Sequence, residues 1–287
     1  MMRAPGRALA TFLISALFAT TASAQQDKTS DVAKKSQNPI SDLVSFPVQE
    51  NVNFNVGRLD KTQSVTNLQP VVPIKLDQGW TLVTRWILPV IYQPSLVAGD
   101  SPDFGLGDFN PSFFLTAPTI GGWTVGVGPT FLLPTATDVR LGSDRWSAGP
   151  TAVAVLTQGN IVAGALANNI WSFTGESERG NGTVVLRQSG NEIRPVGKPV
   201  NQFLLQPFFN YNLPDGWFLV TAPIITADWE APKGDRWTVP VGGGFGRVFK
   251  IGSQPVNANI QAYYHVEHPT DAANWHITAN FALLFPD

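Results

Sequence analysis

The sequence predicts an antiparallel β-barrel of the outer-membrane type. Three observations carry this: a phrase repeated three times, a two-residue alternation of apolar and polar side chains, and an export signal ahead of both. The phrase is an apolar run, a Gly-Trp and a second apolar run. It recurs at Gly79-Trp80, Gly122-Trp123 and Gly216-Trp217, and each copy reads as a strand, a tight turn and a returning strand.

The export signal comes first. Arg3 and Arg7 form a basic start, Ala8 to Ala19 is uncharged and largely apolar, and Ala22-Ser23-Ala24 is a small-x-small cleavage site, so residues 1–24 read as a signal peptide. Cleavage there removes two arginines and takes the formal charge from −2 to about −4. That balance is too mild for a nucleic-acid partner. With no cysteine in the 287 residues, disulfides and thiolate metal centres are excluded, and no cofactor is expected. Charged residues make up 14%, well under the roughly 25% of a soluble domain. A mean hydropathy near zero hides the pattern, because apolar residues alternate with Asn, Gln, Thr and Gly rather than clustering.

Residues 25–47 form a leader. They are polar, hold Lys34 and Lys35, and then run Asn38-Pro39-Ile40-Ser41-Asp42-Leu43-Val44. This reads either as a short amphipathic turn or helix before the barrel, or as a disordered periplasmic segment. It is also a candidate plug.

From Val48 to the end the chain reads as barrel, residues 48–287. Val48, Val52, Phe54 and Val56 alternate with Gln49, Asn51, Asn53 and Asn55, Glu50 being the odd member. The alternation is clearest from Val256 to Glu267, where six apolar or aromatic residues take one face and Asn257, Asn259, Gln261, Tyr263, His265 and Glu267 the other. Tight turns are expected near Gln78-Gly79, Gly121-Gly122, Gln158-Gly159-Asn160, Asp215-Gly216 and Ile251-Gly252. Longer loops are expected over Leu59–Thr66, Tyr92–Gly107, Thr135–Asp144, Thr174–Val200, Glu230–Asp235 and Pro269–Ala273. Alternating short and long connections give about twelve strands, with both chain ends on the short-turn side. The last strand, Trp275 to Phe285, is apolar on one face and ends in Pro286-Asp287 rather than an aromatic.

The tryptophans fit a membrane-spanning wall. Trp80, Trp123 and Trp217 follow the tight turns, while Trp146, Trp229, Trp237 and Trp275 flank the longer loops. Two such belts match the two membrane interfaces, where an indole N–H meets water and its ring meets lipid. An internal duplication supports the register. Residues 110–173 and 206–266 share landmarks, including Ser143-Asp144-Arg145-Trp146 with Gly234-Asp235-Arg236-Trp237. Prolines inside strands (Pro73, Pro89, Pro129, Pro207, Pro240) argue against a regular ladder. Bulges are the one role the sequence offers them. Gly242-Gly243-Gly244-Phe245-Gly246 marks a bend or the close approach of another segment, for which the leader near Asn38-Pro39 is a candidate.

By alternation the lumen takes Asn51, Asn53, Lys75, Arg85, Asp108, Asn110, Gln202, Gln206, Asn210, Asn257, Asn259, Gln261, Tyr263, His265, Glu267, His276 and Asn280. Such a lining suits either a conduit for neutral solutes or a hydrogen-bonded filling. Twelve tilted strands give a backbone diameter of about 24 Å, which leaves both readings open. The histidines, His265, His268 and His276, fit a lumen pair of His265 with Glu267 better than chemistry. A lipid-cleaving barrel needs a Ser–His pair on its outer wall, and His265 and His268 fall on opposite faces, which disfavours a metal site. Arg145 and Arg236, each beside an Asp, fit surface ion pairs of small worth, with lipopolysaccharide phosphates the other partner considered.

Two stretches carry a resemblance to a known family. They are Gln37-Asn38-Pro39-Ile40-Ser41-Asp42-Leu43 with Phe46-Pro47-Val48-Gln49, and the block from Gly105-Leu106-Gly107-Asp108 to Pro134. The chain resembles the outer-membrane barrels linked to the MetA-pathway of phenol degradation, some of which carry the name neuromedin U. The resemblance covers most of the mature chain. It implies passive passage of small, often aromatic or hydrophobic compounds, with outer-membrane lipid and lipopolysaccharide as surroundings. It transfers no binding residues. The competing expectations are a non-conducting barrel that scaffolds envelope partners through its loops and, less strongly, a barrel hydrolase.

Overall fold

The computed structural model describes residues 31–174, 186–189, 192–195 and 199–286. The export signal, and most of the loop expected over Thr174–Val200, lie outside the described residues. A short helix covers residues 31–37. The strands that follow are β1 Val44–Val56, β2 Lys61–Leu68, β3 Val71–Lys75, β4 Thr81–Gln93, β5 Asp103–Leu106, β6 Asn110–Thr116, β7 Trp123–Leu132, β8 Trp146–Gln158 and β9 Ile161–Thr174. A small hairpin, β10 Leu186–Ser189 with β11 Glu192–Pro195, stands apart from the main sheet. The second half holds β12 Asn201–Asn212, β13 Trp217–Thr221, β14 Ile225–Asp228, β15 Trp237–Ile251, β16 Gln254–Glu267 and β17 Trp275–Phe285.

These segments merge into twelve staves, because β2 continues into β3, β5 into β6 and β13 into β14. All neighbours are antiparallel. The barrel closes where β1 pairs β17, from Val44↔Phe285 to Phe54↔Trp275. Closure leaves no edge, the condition for a sheet to stand in hydrocarbon. Among the described residues no helix is long and apolar enough to cross a membrane.

The repeated Gly-Trp phrase folds in two ways. At Asp77–Gly79 and Pro214–Gly216 a single 3₁₀ turn places Gln78 at φ 59° and Asp215 at φ 58°, and the Trp80 and Trp217 N–H groups return to the first carbonyl of the turn. The middle copy instead uses Gly121 and Gly122, both at positive φ, between the bridged Ile120 and Trp123. Both solutions reverse the chain in a few residues. The duplicated halves also superpose in plan, β6 to β9 on β12 to β16, with Asp144-Arg145 and Asp235-Arg236 each opening a strand at the long-loop end.

Three boundaries differ from expectation, one being the loop expected over Tyr92–Gly107, where Tyr92 and Gln93 end β4 and Asp103–Leu106 is strand. The first strand begins at Val44 rather than Val48. The loop expected over Leu59–Thr66 is a turn at residues 57–60, and Lys61–Leu68 is already strand. That strand is polar on both faces. Gln63 and Asn67 point inward while Ser64 and Thr66 point outward to Glu50, so the apolar half of the alternation is missing.

The outer wall is apolar over most of its area. Val241, Phe245, Ile260, Tyr264, Val266 and Phe281 are exposed, the arrangement of a wall meant for lipid. Trp80, Trp123 and Trp217 stand exposed at the tight-turn end. Trp146, Trp229 and Trp237 stand exposed at the other, where Trp171 joins them. Trp275 is the exception. Its ring stacks on Phe54 at 4.0 Å and its indole N–H donates to Asn55 Oδ1 at 3.1 Å, so it is half-buried by protein.

Candidate functional site: the lumen and its two closures

At the tight-turn end the leader packs against the inner wall of the barrel. Ala33, Ile40 and Leu43 are all but fully buried. Ile40 sits among Val71, Val83, Phe114, Val153, Val155, Val162, Leu166 and Phe208. Ala33 and Leu43 pack with Phe218, Val220, Val248, Ala282 and Leu284. Burying Ile40 and Leu43 contributes about 1.5–3 kcal/mol each. Polar ties set the register: Gln37 and Asn212 exchange carboxamide bonds of 2.9 and 3.0 Å, and Asn257 Nδ2 donates to Ser36 Oγ at 2.9 Å. Within the leader, Lys35 pairs with Asp42 at 2.8 Å.

From the long-loop end the segment after β7 folds over the lumen. Asp108 holds it, accepting from Ala136 N at 3.3 Å, from Ser143 Oγ at 2.7 Å and from Ser143 N. Leu141, turned inward, is buried. At the rim Arg140 reaches Asp100 and Asp138 at 3.4 Å and also pairs with Asp103.

Between the closures lies a cavity of about 290 Å³, at the lower end of the range for small-molecule sites. Nine carboxamides line it: Gln49, Asn51, Asn53, Asn67, Asn110, Asn168, Gln202, Gln206 and Gln261. The rest is shared between apolar groups, among them Ile87, Pro89, Ile91, Leu132, Leu204 and Ile224, and the polar Asp108, Tyr263, His276, Thr130, Thr226 and Thr278. The amides are braced by one another. Asn53 Nδ2 donates to Gln63 Oε1 at 2.8 Å, and Gln63 Nε2 to Gln93 Oε1 at 2.6 Å. Gln49 Nε2 and Thr278 Oγ1 both donate to Asn51 Oδ1.

Of the residues that alternation assigns to the lumen, Asn51, Asn53, Asp108, Asn110, Gln202, Gln206, Gln261, Tyr263 and His276 line this cavity. Asn210 and Asn257 are buried and face inward, Asn210 Nδ2 reaching Val162 O and Asn257 reaching the leader. Asn259, which accepts from Gln261, and Asn280 are half-buried. Arg85 donates to Gln69 Oε1 at 2.8 Å. Two assignments need correction. Lys75 and Glu267 keep the inward phase but stand at strand ends, where they are exposed at the mouths. His265 accordingly pairs with His276 rather than Glu267. Its Nε2 lies 2.7 Å from His276 Nδ1 and its Nδ1 lies 2.6 Å from Ala273 O. The tautomers that satisfy both contacts have His265 Nδ1–H donating to Ala273 and His276 Nδ1–H donating to His265.

The glycine strip of β15 does not receive the leader. A side chain on Gly242 or Gly244 would overlap the Ala262 or Ile260 carbonyl of β16. Tyr263 crosses the bare backbone to accept from Ala222 N at 2.7 Å. Arg236 and Asp235 serve loops, Arg236 Nε donating to Ala231 O and Asp235 accepting from Thr270.

Alternation misses the apolar inner surface around the leader, including Phe114, Val153, Val155, Val162 and Leu166. A signal was available. The run Ala148–Leu156 offers small or apolar residues on both faces, and a strand greasy on both faces needs cover on both. It also misses Leu141 and Gly142, whose placement depends on a loop fold.

One polar cluster faces lipid. Glu50 lies at the middle of β1 on the outer phase, with Oε1 accepting from Ser64 Oγ at 2.6 Å and Oε2 accepting from Thr66 Oγ1. Ala279 is its neighbour on β17.

Comparison with known proteins agrees with this architecture. No family model matches the chain, and no curated protein matches it. Among solved structures, an outer membrane channel from Pseudomonas putida F1 is similar at 16% identity and a TM-score of 0.64, over 85% of this chain and 95% of that one. The NanC porin covers 85% of this chain and 100% of its own at 9% identity and a TM-score of 0.49. Outer membrane phospholipase A from Escherichia coli covers 90% and 98% at 15% identity and 0.44. The last two agree too loosely to carry an argument. The closed antiparallel barrel, its lipid-ready wall and the first of these likenesses define the chain as an outer-membrane β-barrel.

Proposed function

We propose that this barrel is a passive channel for small uncharged solutes, aromatic and hydrophobic ones among them, with the leader as a periplasmic plug. The observation that carries the reading is the cavity lining. Asp108 is the one charged side chain among the described residues that line it, and its carboxylate is engaged by Ser143 and Ala136. Carboxamides offer donors and acceptors to a hydroxyl or carbonyl, and the apolar side accepts a ring. An ion entering this space loses hydration without gaining a countercharge. The resemblance to barrels of the MetA-pathway of phenol degradation points to the same solute class.

The hydrolase reading has little support. Ser64, an outer-wall serine with an acidic partner, stands beside the midpoint of β1, deeper in the hydrocarbon than lipid ester bonds, and among the described residues no histidine is hydrogen-bonded to it. The test is conductance of the refolded protein in a planar bilayer, with and without residues 31–43. Stable steps that grow when the leader is removed are expected. Silence from both forms, with heat-modifiable gel mobility showing a folded barrel, would sink the channel and leave a scaffold working through its loops.

A further inference from the structure

The stave formed by β13 and β14 is interrupted at Ala222–Ile224. Its two parts keep one register with both neighbours. On β12, Thr221 pairs Phe209 and Ile225 pairs Leu205. On β15, Val220 pairs Gly244 and Thr226 pairs Thr238. Continued through the gap, that register sets Pro223 opposite Pro207 on one side, and Ile224 opposite Pro240 on the other. None of the three gap residues pairs with either neighbour. Three prolines in adjacent staves remove three ladder donors from one patch of wall.

The patch has lipid on one side and the cavity on the other. Ala222, Ile224 and Leu204 line the cavity, while Val241 and Leu219 are exposed on the outer face. What spans the gap is a pair of side chains, the first being Thr221, whose Oγ1 donates to Gly242 O at 2.8 Å from the edge of the break. Ala222 N–H donates to the Tyr263 hydroxyl, which reaches it across Gly242, its partner on β15. The β6–β7 ladder is also sparse, lacking pairs at Phe113 and Phe114. There, however, the backbones close up, since a side chain on Gly128 would overlap the Phe113 carbonyl. In hydrocarbon an unpaired backbone is tolerated only where it lines a cavity.

We propose that the proline-framed break at Ala222–Ile224 is a lateral portal, through which small apolar or monoaromatic solutes pass between the lumenal cavity and the surrounding lipid. Leu141 bounds the cavity toward the long loops, and the cluster that holds Ile40 packs against the cavity wall at Leu204 and Ala222. Opening the wall here takes rotation of Tyr263, which breaks its bonds to Ala222 and Gln261, and release of the Thr221 Oγ1–H bond to Gly242 O, whereas seams such as β9–β12 and β15–β16 are held by long runs of ladder pairs. The inference rests on the channel reading and gives it a route.

The chain contains no cysteine, so a Pro223→Cys/Val241→Cys pair on the outer face can be oxidised to close the gap. Uptake of radiolabelled toluene is followed in cells producing the full-length protein, with potassium chloride conductance of the purified protein as a measure of the axial path. Oxidation is expected to slow toluene uptake at least threefold, reduction to restore it, and conductance to stay unchanged. Because the cysteine pair is able to fail in folding, Pro223→Val/Pro240→Val, which returns two ladder donors, is tested beside it and is expected to slow uptake similarly. Equal uptake in the oxidised and reduced forms overturns the portal and leaves an axial channel standing. Uptake no faster than in cells lacking the protein overturns both.

Discussion

Gln37 of the leader and Asn212 of β12 are joined by two reciprocal carboxamide bonds, 2.9 Å from Gln37 Nε2 to Asn212 Oδ1 and 3.0 Å from Asn212 Nδ2 to Gln37 Oε1. The pair fixes the leader's orientation while Ile40 and Leu43 supply the apolar contact. Ile40→Asp places a carboxylate among eight buried apolar side chains, where no partner compensates it. The leader should leave its seat, with at least a twofold rise in bilayer conductance and new protease sensitivity in residues 31–43. Asn212→Ala, which removes a net contribution of about 1 kcal/mol, should give flickering rather than full opening.

Asp108→Ala releases the loop above the cavity. Ser143 and Ala136 lose their shared acceptor, and hydrogen bonds to a charged group contribute about 1.5–3 kcal/mol each. The expected outcome is a lower denaturation midpoint in vesicles together with larger conductance. Unchanged conductance would show that the loop does not bound the path.

Glu50 puts a carboxylate on the lipid-facing wall with two hydroxyls as donors. A charge at the bilayer midplane is destabilising, less for Glu than the roughly 2–4 kcal/mol of Arg or Lys. Glu50→Leu should therefore raise stability in vesicles by about 1 kcal/mol. Ser64→Ala and Thr66→Ala should each lower it, because they strip donors from a carboxylate that remains. Equilibrium unfolding in urea separates these outcomes.

His265 and His276 should behave as a unit. His276→Leu leaves His265 Nε2 buried without its donor at 2.7 Å, a loss of about 1–3 kcal/mol. Replacing both histidines by Leu should cost less than the two single changes added together, and a double-mutant cycle measures the difference.

The wall was legible because its solvents leave a mark at every second residue. Asn257 to Glu267 and Trp275 to Phe285 alternate cleanly, since one face meets lipid and the other meets polar lumen. The turns were legible through Gly79, Gly122 and Gly216, which take positive φ. Where the environment departs from that pair of solvents, alternation misleads. Lys61–Leu68 looked like a loop because Glu50 makes its outer face polar, and β8 concealed its inner role because the leader makes that lumen apolar.

From its own residues the sequence determined the barrel, its end-to-end polarity and its aromatic belts, because each is a local consequence of lipid outside and short turns at one end. Only the tertiary structure decided what fills the lumen. Ile40 under Phe114, Leu141 over the cavity, His265 on His276, and Pro223 level with Pro207 and Pro240 all bring together residues far apart in the chain or on separate staves. Such contacts depend on closure of the cylinder and on strand register, which a period of two does not encode.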